Sequence, residues 1–131
     1  MRILLDALNE PVSLCAIDIS EEQLQDSARI VRNAYPKLEV LTVASDFTSP
    51  LKIPVSQRIP KSKVAFFPGS TIGNFEPADA TVFLQTICKT VGKNGKLLIA
   101  VDLKKDHEML IKEYDDKNGI TEAFNKNLLS I

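Results

Sequence analysis

At 131 residues the chain has the length of one domain, enough to bury a core of its own. Its 44% apolar and 25% charged residues are those of an ordinary globular protein, so composition alone points to no chemistry. A net charge of −1, with the charges scattered along the chain, supplies no basic face for a nucleic acid.

Met1 to Leu8 carries a leucine-rich helical pattern that starts without a cap and stops at the Asn9-Glu10-Pro11 break. A helix with no lead-in predicts missing polypeptide upstream of residue 1. Val12 to Ile17 predicts a short buried strand closed by Asp18, with Ser20 and then Glu21-Glu22 as a helix N-terminus. Leu24, Ala28, Val31 and Ala34 mark one face of a helix over 21–34 that ends at Tyr35-Pro36. Leu38 to Ala44 follows as a strand rich in β-branched and apolar residues. Residues 48–62 hold prolines at 50, 54 and 60 and predict an irregular connection, not a linker between domains.

Val64 to Phe67 predicts a buried strand that Pro68 stops abruptly. A helix over 77–91 begins with Pro77 in its first turn, presents Val82, Phe83, Thr86 and Ile87 as its apolar face, and ends at Gly92-Lys93-Asn94-Gly95. Lys96 to Val101 predicts a further buried strand closed by Asp102, followed by helical segments at 105–117 and 120–130. Cys15 and Cys88 read as small buried hydrophobes in a reducing compartment. With His107 as the one histidine, they do not make a zinc site of the usual kind. No apolar run approaches the roughly 20 residues that span a bilayer, and the N-terminus lacks a signal peptide's apolar core, so the chain reads as cytoplasmic.

Alternating strands and helices place the loop Gly69-Ser70-Thr71-Ile72-Gly73-Asn74 at a strand's carboxyl end, the edge where open α/β sheets bind ligands. Ser70, Thr71 and Asn74 offer hydroxyls and an amide there, and Gly69 and Gly73 let the backbone approach a ligand. The same residues also fit an ordinary strand-to-helix turn. Asp18 sits at another strand end, where a carboxylate can accept both hydroxyls of a ribose, or simply close a turn. Asp46-Phe47, after the 38–44 strand, reads either as a carboxylate and backbone amide that meet a ligand's adenine amino group and ring nitrogen, or as a solvated turn.

The string Phe67-Pro68-Gly69-Ser70-Thr71-Ile72-Gly73-Asn74-Phe75-Glu76-Pro77 closely resembles the signature of the histidine-specific, S-adenosylmethionine-dependent N-methyltransferases, which make hercynine on the way to ergothioneine. A second stretch is similar to the family's next segment in the same order: Asp102-Leu103-Lys104-Lys105-Asp106, Tyr114-Asp115-Asp116, Asn118-Gly119-Ile120-Thr121 and Phe124-Asn125-Lys126-Asn127. The resemblance implies an α/β, Rossmann-like class I methyltransferase three-layer sandwich. It further implies one partial domain over 1–131, truncated at both ends, whose first strand and glycine-rich loop lie before residue 1.

By the same resemblance the cofactor is S-adenosyl-L-methionine, held by Asp18, Ser20, Asp46, Phe47, Gly69 and Ser70, and the substrate is a small amino acid, histidine, contacted by Gly69, Asn74 and Tyr114. Methyl transfer to an amine calls for alignment more than for acid–base groups, so no catalytic residue is assigned. In this class the first strand lies between the strands at 12–17 and 64–67, and its loss leaves two apolar edges that predict a homo-oligomer. Competing expectations are a non-catalytic remnant or assembly module of the same fold, and a nicotinamide-binding Rossmann domain in which Asp18 holds that cofactor's ribose.

Overall fold

The computed structural model describes residues 1–49, 51–104, 106, 108–109, 111 and 119–127. The chain divides into two compact units, Met1–Ala100 and Val101–Ile131.

The first unit opens with helix α1 (Arg2–Ala7) and continues as strand β1 (Ser13–Asp18), helix α2 (Glu21–Ala34) and strand β2 (Glu39–Ala44). β1 and β2 pair in parallel from Ser13↔Glu39 to Asp18↔Ala44, so α2 is the crossover of a βαβ unit. Leu24 and Ala28 point inward from α2. Ala28 joins Leu5, Leu38 and Val40 in a buried cluster against which Leu14, Val31 and Tyr35 pack. α1 is therefore held by Leu5 in the core and by the Tyr35 hydroxyl, which donates to Asp6 Oδ1 at 2.6 Å. Burial pushes the Cys15 thiol up, away from reactive thiolate.

The connection to the second half is fixed at one point. The Glu39 carboxylate accepts the Ser56 hydroxyl at 2.5 Å and the Gln57 amide at 3.0 Å. Strand β3 (Val64–Phe67), a short 3₁₀ turn (Thr71–Asn74), helix α3 (Pro77–Val91) and strand β4 (Lys96–Ile99) then form a second βαβ unit, with β3 and β4 parallel from Val64↔Lys96 to Phe67↔Ile99. Phe83, 2% exposed, is the side chain that α3 buries most deeply. Among the described residues the strands make two separate two-stranded sheets, β1–β2 and β3–β4.

Gly92 and Gly95 end α3 for different reasons. Gly92 has φ +74°, and a side chain on Gly95 would collide with the Val91 side chain and come within 2.8 Å of its carbonyl oxygen. In the second unit, helix α4 (Ile120–Asn127) follows Gly119, whose carbonyl accepts the Ala123 amide at 2.9 Å. Asp106 Oδ1 accepts the Met109 amide at 2.8 Å, an N-cap-like bond near the start of the expected 105–117 segment. Of the expected segments 105–117 and 120–130, residues 112–117 and 128–130 lie outside the described residues, as do Lys105, His107 and Leu110.

Several expectations need correction. β1 runs one residue further than its apolar run, because the Ser45 amide donates to the Asp18 carbonyl at 3.0 Å and adds a rung. β2 starts one residue late, since the Leu38 amide closes a turn on Tyr35. β4 stops at Ile99, short of Val101: its partner strand ends at Pro68, which has no N–H, and at Gly69, whose φ of +79° turns the chain away. Nor is β4 buried, for Lys96, Leu97 and Leu98 are exposed. Its apolar run is typical of parallel strands covered on both faces, and among the described residues β4 lacks that cover. On α3 the inward face follows Ala80, Phe83, Ile87 and Val91, leaving Val82 57% exposed and Cys88 exposed as well.

Candidate functional site at the carboxyl edge of the strands

Parallel pairing sends β1 and β2 out at the same edge, so Asp18 and Asp46 emerge side by side. The backbone bond between Ser45 and Asp18 links the two turns directly. Asp18 is exposed and folds back through Oδ1 to accept the Ser20 amide at 2.9 Å. Ser20 takes the N-cap position of α2 as expected, but its hydroxyl makes no cap bond, and the neighbouring carboxylate satisfies its amide.

Asp46 is locked more tightly. Its Oδ1 accepts the Thr48 amide at 2.8 Å and the Thr48 hydroxyl at 2.7 Å, a turn in which the side chain stands in for backbone. These two bonds, the amide's first, hold its carboxyl below the usual carboxylate range and outweigh the opposing desolvation. Asp46 is thus an ionised, acceptor-only group at neutral pH.

The next residue turns inward. The Phe47 ring meets Phe67 edge-on at 5.5 Å and Phe83 edge-on at 6.0 Å, and stacks on Phe75 at 6.4 Å with 16° between the planes. Phe67 lies 4.6 Å and Phe75 5.4 Å from Phe83, so all four rings form one cluster between the end of β2 and the loop after β3. That loop carries two consecutive left-handed residues, Gly69 at φ +79° and Ser70 at φ +58°, which throw the chain into the 3₁₀ turn. Asn74 is exposed at the end of that turn and is not the cap of α3, a position taken by Glu76. It lines a cavity of about 380 Å3 together with Thr48, Phe75, Glu76, Asp79, Val82 and Phe83.

The structure therefore places Thr48 and Asn74 on one cavity, with Asp46 bonded to Thr48, the Phe47 ring stacked on Phe75, and Asp18 and Ser20 on the adjoining turn. Of the expected site residues only Asn74 lines the cavity; Asp18, Ser20, Asp46, Phe47, Gly69 and Ser70 do not, and Tyr114 lies outside the described residues. A larger hollow of about 540 Å3, lined by residues including Tyr35, Leu38 and Arg58, lies at the opposite end of β1 and β2. The amino-end hollow carries Glu10, Tyr35, Lys37 and Arg58, but open parallel sheets bind ligands at their carboxyl ends, which favours the smaller cavity.

Sequence reasoning missed Thr48 and the ring cluster. An Asp followed two residues on by Thr is itself a turn signature, so Thr48 was detectable. The convergence of Phe47, Phe67, Phe75 and Phe83 from three elements was not. Among the described residues, no group of three or more His, Cys, Asp or Glu could hold a metal ion, and no helix is long and apolar enough to cross a membrane.

The whole chain, residues 1–131, matches the family described as histidine-specific, SAM-dependent methyltransferases, and it belongs to that family. Membership implies the class I methyltransferase fold, with which the parallel α/β architecture agrees. Among curated relatives, the chain is 37% identical to the histidine N-alpha-methyltransferase of Mycolicibacterium smegmatis and 34% identical to that of Mycobacterium tuberculosis, each alignment covering 99% of this chain and 40% of the relative. It is 34% identical to ergothioneine biosynthesis protein 1 of Neurospora crassa, over 95% of this chain and 14% of that protein. The chain thus spans about two fifths of the mycobacterial relatives it matches.

Proposed function

We propose that the chain is part of a methyltransferase that moves a methyl group from S-adenosyl-L-methionine to the α-nitrogen of an amino acid, histidine. The observation that carries this reading is that Thr48 and Asn74 share one cavity, with Phe47 stacked on Phe75 beside it, in a chain of this family.

The residues fit the donor. Asp18 offers an exposed carboxylate to the two ribose hydroxyls, with Ser20 on the same turn. Asp46, kept ionised by Thr48, accepts from the adenine amino group, and the Phe47 backbone amide serves a ring nitrogen. Gly69 and Ser70 let the backbone pass close to the donor, and Gly69 can take φ +79° without strain. The donor, when bound, supplies a methyl group already activated on sulfur. The chain's own task is alignment: Asn74 orients the acceptor's carboxylate or amine through its side-chain amide, with Gly69 beside it and Tyr114 adding a hydroxyl, while the ring cluster keeps water from one side.

At a finer level, the two βαβ units are the flanks of one three-layer sandwich whose central strand and glycine-rich loop are supplied from elsewhere. The separate pairing of β1–β2 and β3–β4 and the exposed Val64, Leu97 and Leu98 support this. The same observation favours a second reading, in which the chain acts as an assembly module that pairs its open edges with another copy.

Amide chemical shifts followed during titration with S-adenosylhomocysteine test the site. Changes are expected at 18–20, 46–48 and 69–74. Changes confined to the hollow beside Tyr35 and Arg58, or none at saturating ligand, would refute it.

A further inference from the structure

The two sheets share no strand pairing among the described residues, so something else must set the donor-side turn at the correct distance from the acceptor-side loop. Phe47 is the ring from the first βαβ unit that reaches the second. It touches Phe67 at the end of β3, Phe75 just beyond Asn74, and Phe83 on α3. Its flanking residues link the turn to the cavity: Asp46 precedes it, and Thr48 both locks Asp46 and lines the cavity with Asn74.

We propose that Phe47 is a positioning residue that couples the two binding sites, its side chain transmitting the placement of the 45–48 turn to the 70–74 turn. The inference rests on reading the carboxyl edge as a donor-and-acceptor site. Its physical basis is that packed rings have few arrangements of low energy. A ligand that fixes Asp46 therefore narrows the positions open to Phe75 and Asn74, and the second ligand meets a turn that is already ordered. Linkage makes the effect reciprocal.

The test is calorimetry of S-adenosylhomocysteine with and without saturating histidine, on the unaltered chain, Phe47→Leu and Phe47→Ala, with circular dichroism to show that each is folded. In the unaltered chain histidine should tighten S-adenosylhomocysteine about fivefold or more, the low end of ordinary coupling between sites. Whatever their affinity for S-adenosylhomocysteine alone, both variants should lose the tightening, Phe47→Ala more completely, so that the ratio of affinities with and without histidine falls toward one. A residue with a merely structural role would weaken binding without touching the ratio. Tightening that persists in folded Phe47→Leu and Phe47→Ala overturns the proposal, as does loss of fold in both. If the unaltered chain binds S-adenosylhomocysteine but shows no tightening, coupling fails and the proposed function stands. If it binds neither ligand, the functional reading fails and the coupling with it.

Discussion

The Asp46–Thr48 pair sets the charge at the edge of the site. Because hydrogen bonding lowers the folded carboxyl below its ordinary value of 3.8, the contribution is complete above that value and is lost as pH falls through the folded one. Thr48→Val removes the hydroxyl's bond and leaves the amide's. In a carbon-13 titration the Asp46 midpoint of this variant should lie above that of the unaltered chain and below an ordinary aspartate; an unmoved midpoint would show that the hydroxyl contributes nothing. Asp18 and Asp46 could be picked out as candidates because an acid after a buried run is visible in one dimension. The local partner that fixes Asp46 is legible as an Asp-x-Thr turn, whereas the ring that turns inward beside it depends on how the chain folds back, which a linear pattern does not encode.

Elements fare differently from side chains. The helices over 21–34 and 77–91 and the strand over 64–67 match their expected limits because Tyr35-Pro36, Pro68 and Gly92 punctuate them. Where no such residue stood, at Asp18 and Ile99, the last rung of the ladder decided the boundary, and that rung belongs to the neighbouring strand. Gly95 tests the end of α3: Gly95→Ala should cost about 2 kcal/mol through the forced contact with Val91, read as a lower denaturation midpoint, and an unchanged midpoint would contradict that packing. α1 offers a test of opposite sign in pH. Donation to Asp6 raises the Tyr35 hydroxyl above its ordinary value of 10.0, so its contribution is complete below that value and lost as pH rises through the folded one. Tyr35→Phe should lower stability at neutral pH and abolish that alkaline decline; a decline that survives the substitution would place its source elsewhere.

For the molecule as a whole, apolar periodicity identified parallel strands, but not how many faces of each would be covered. Leu97 and Leu98 read as buried because their run is continuous, and they are exposed in a sheet that, among the described residues, has only two strands. If those open strands seek partners, light scattering at tens of micromolar should give a mass above that of the 14.5 kDa monomer; a monodisperse monomer would contradict the open-edge reading. The donor site at the carboxyl edge is the claim on which the remaining assignments depend. Its most direct measurement is calorimetry of S-adenosylhomocysteine with the unaltered chain and with Asp18→Ala. The account predicts sub-millimolar binding that weakens about tenfold or more when the carboxylate is removed, the loss expected for hydrogen bonds to a charged group. Binding that is indifferent to Asp18→Ala would contradict the ribose assignment, and no binding at all would contradict the site.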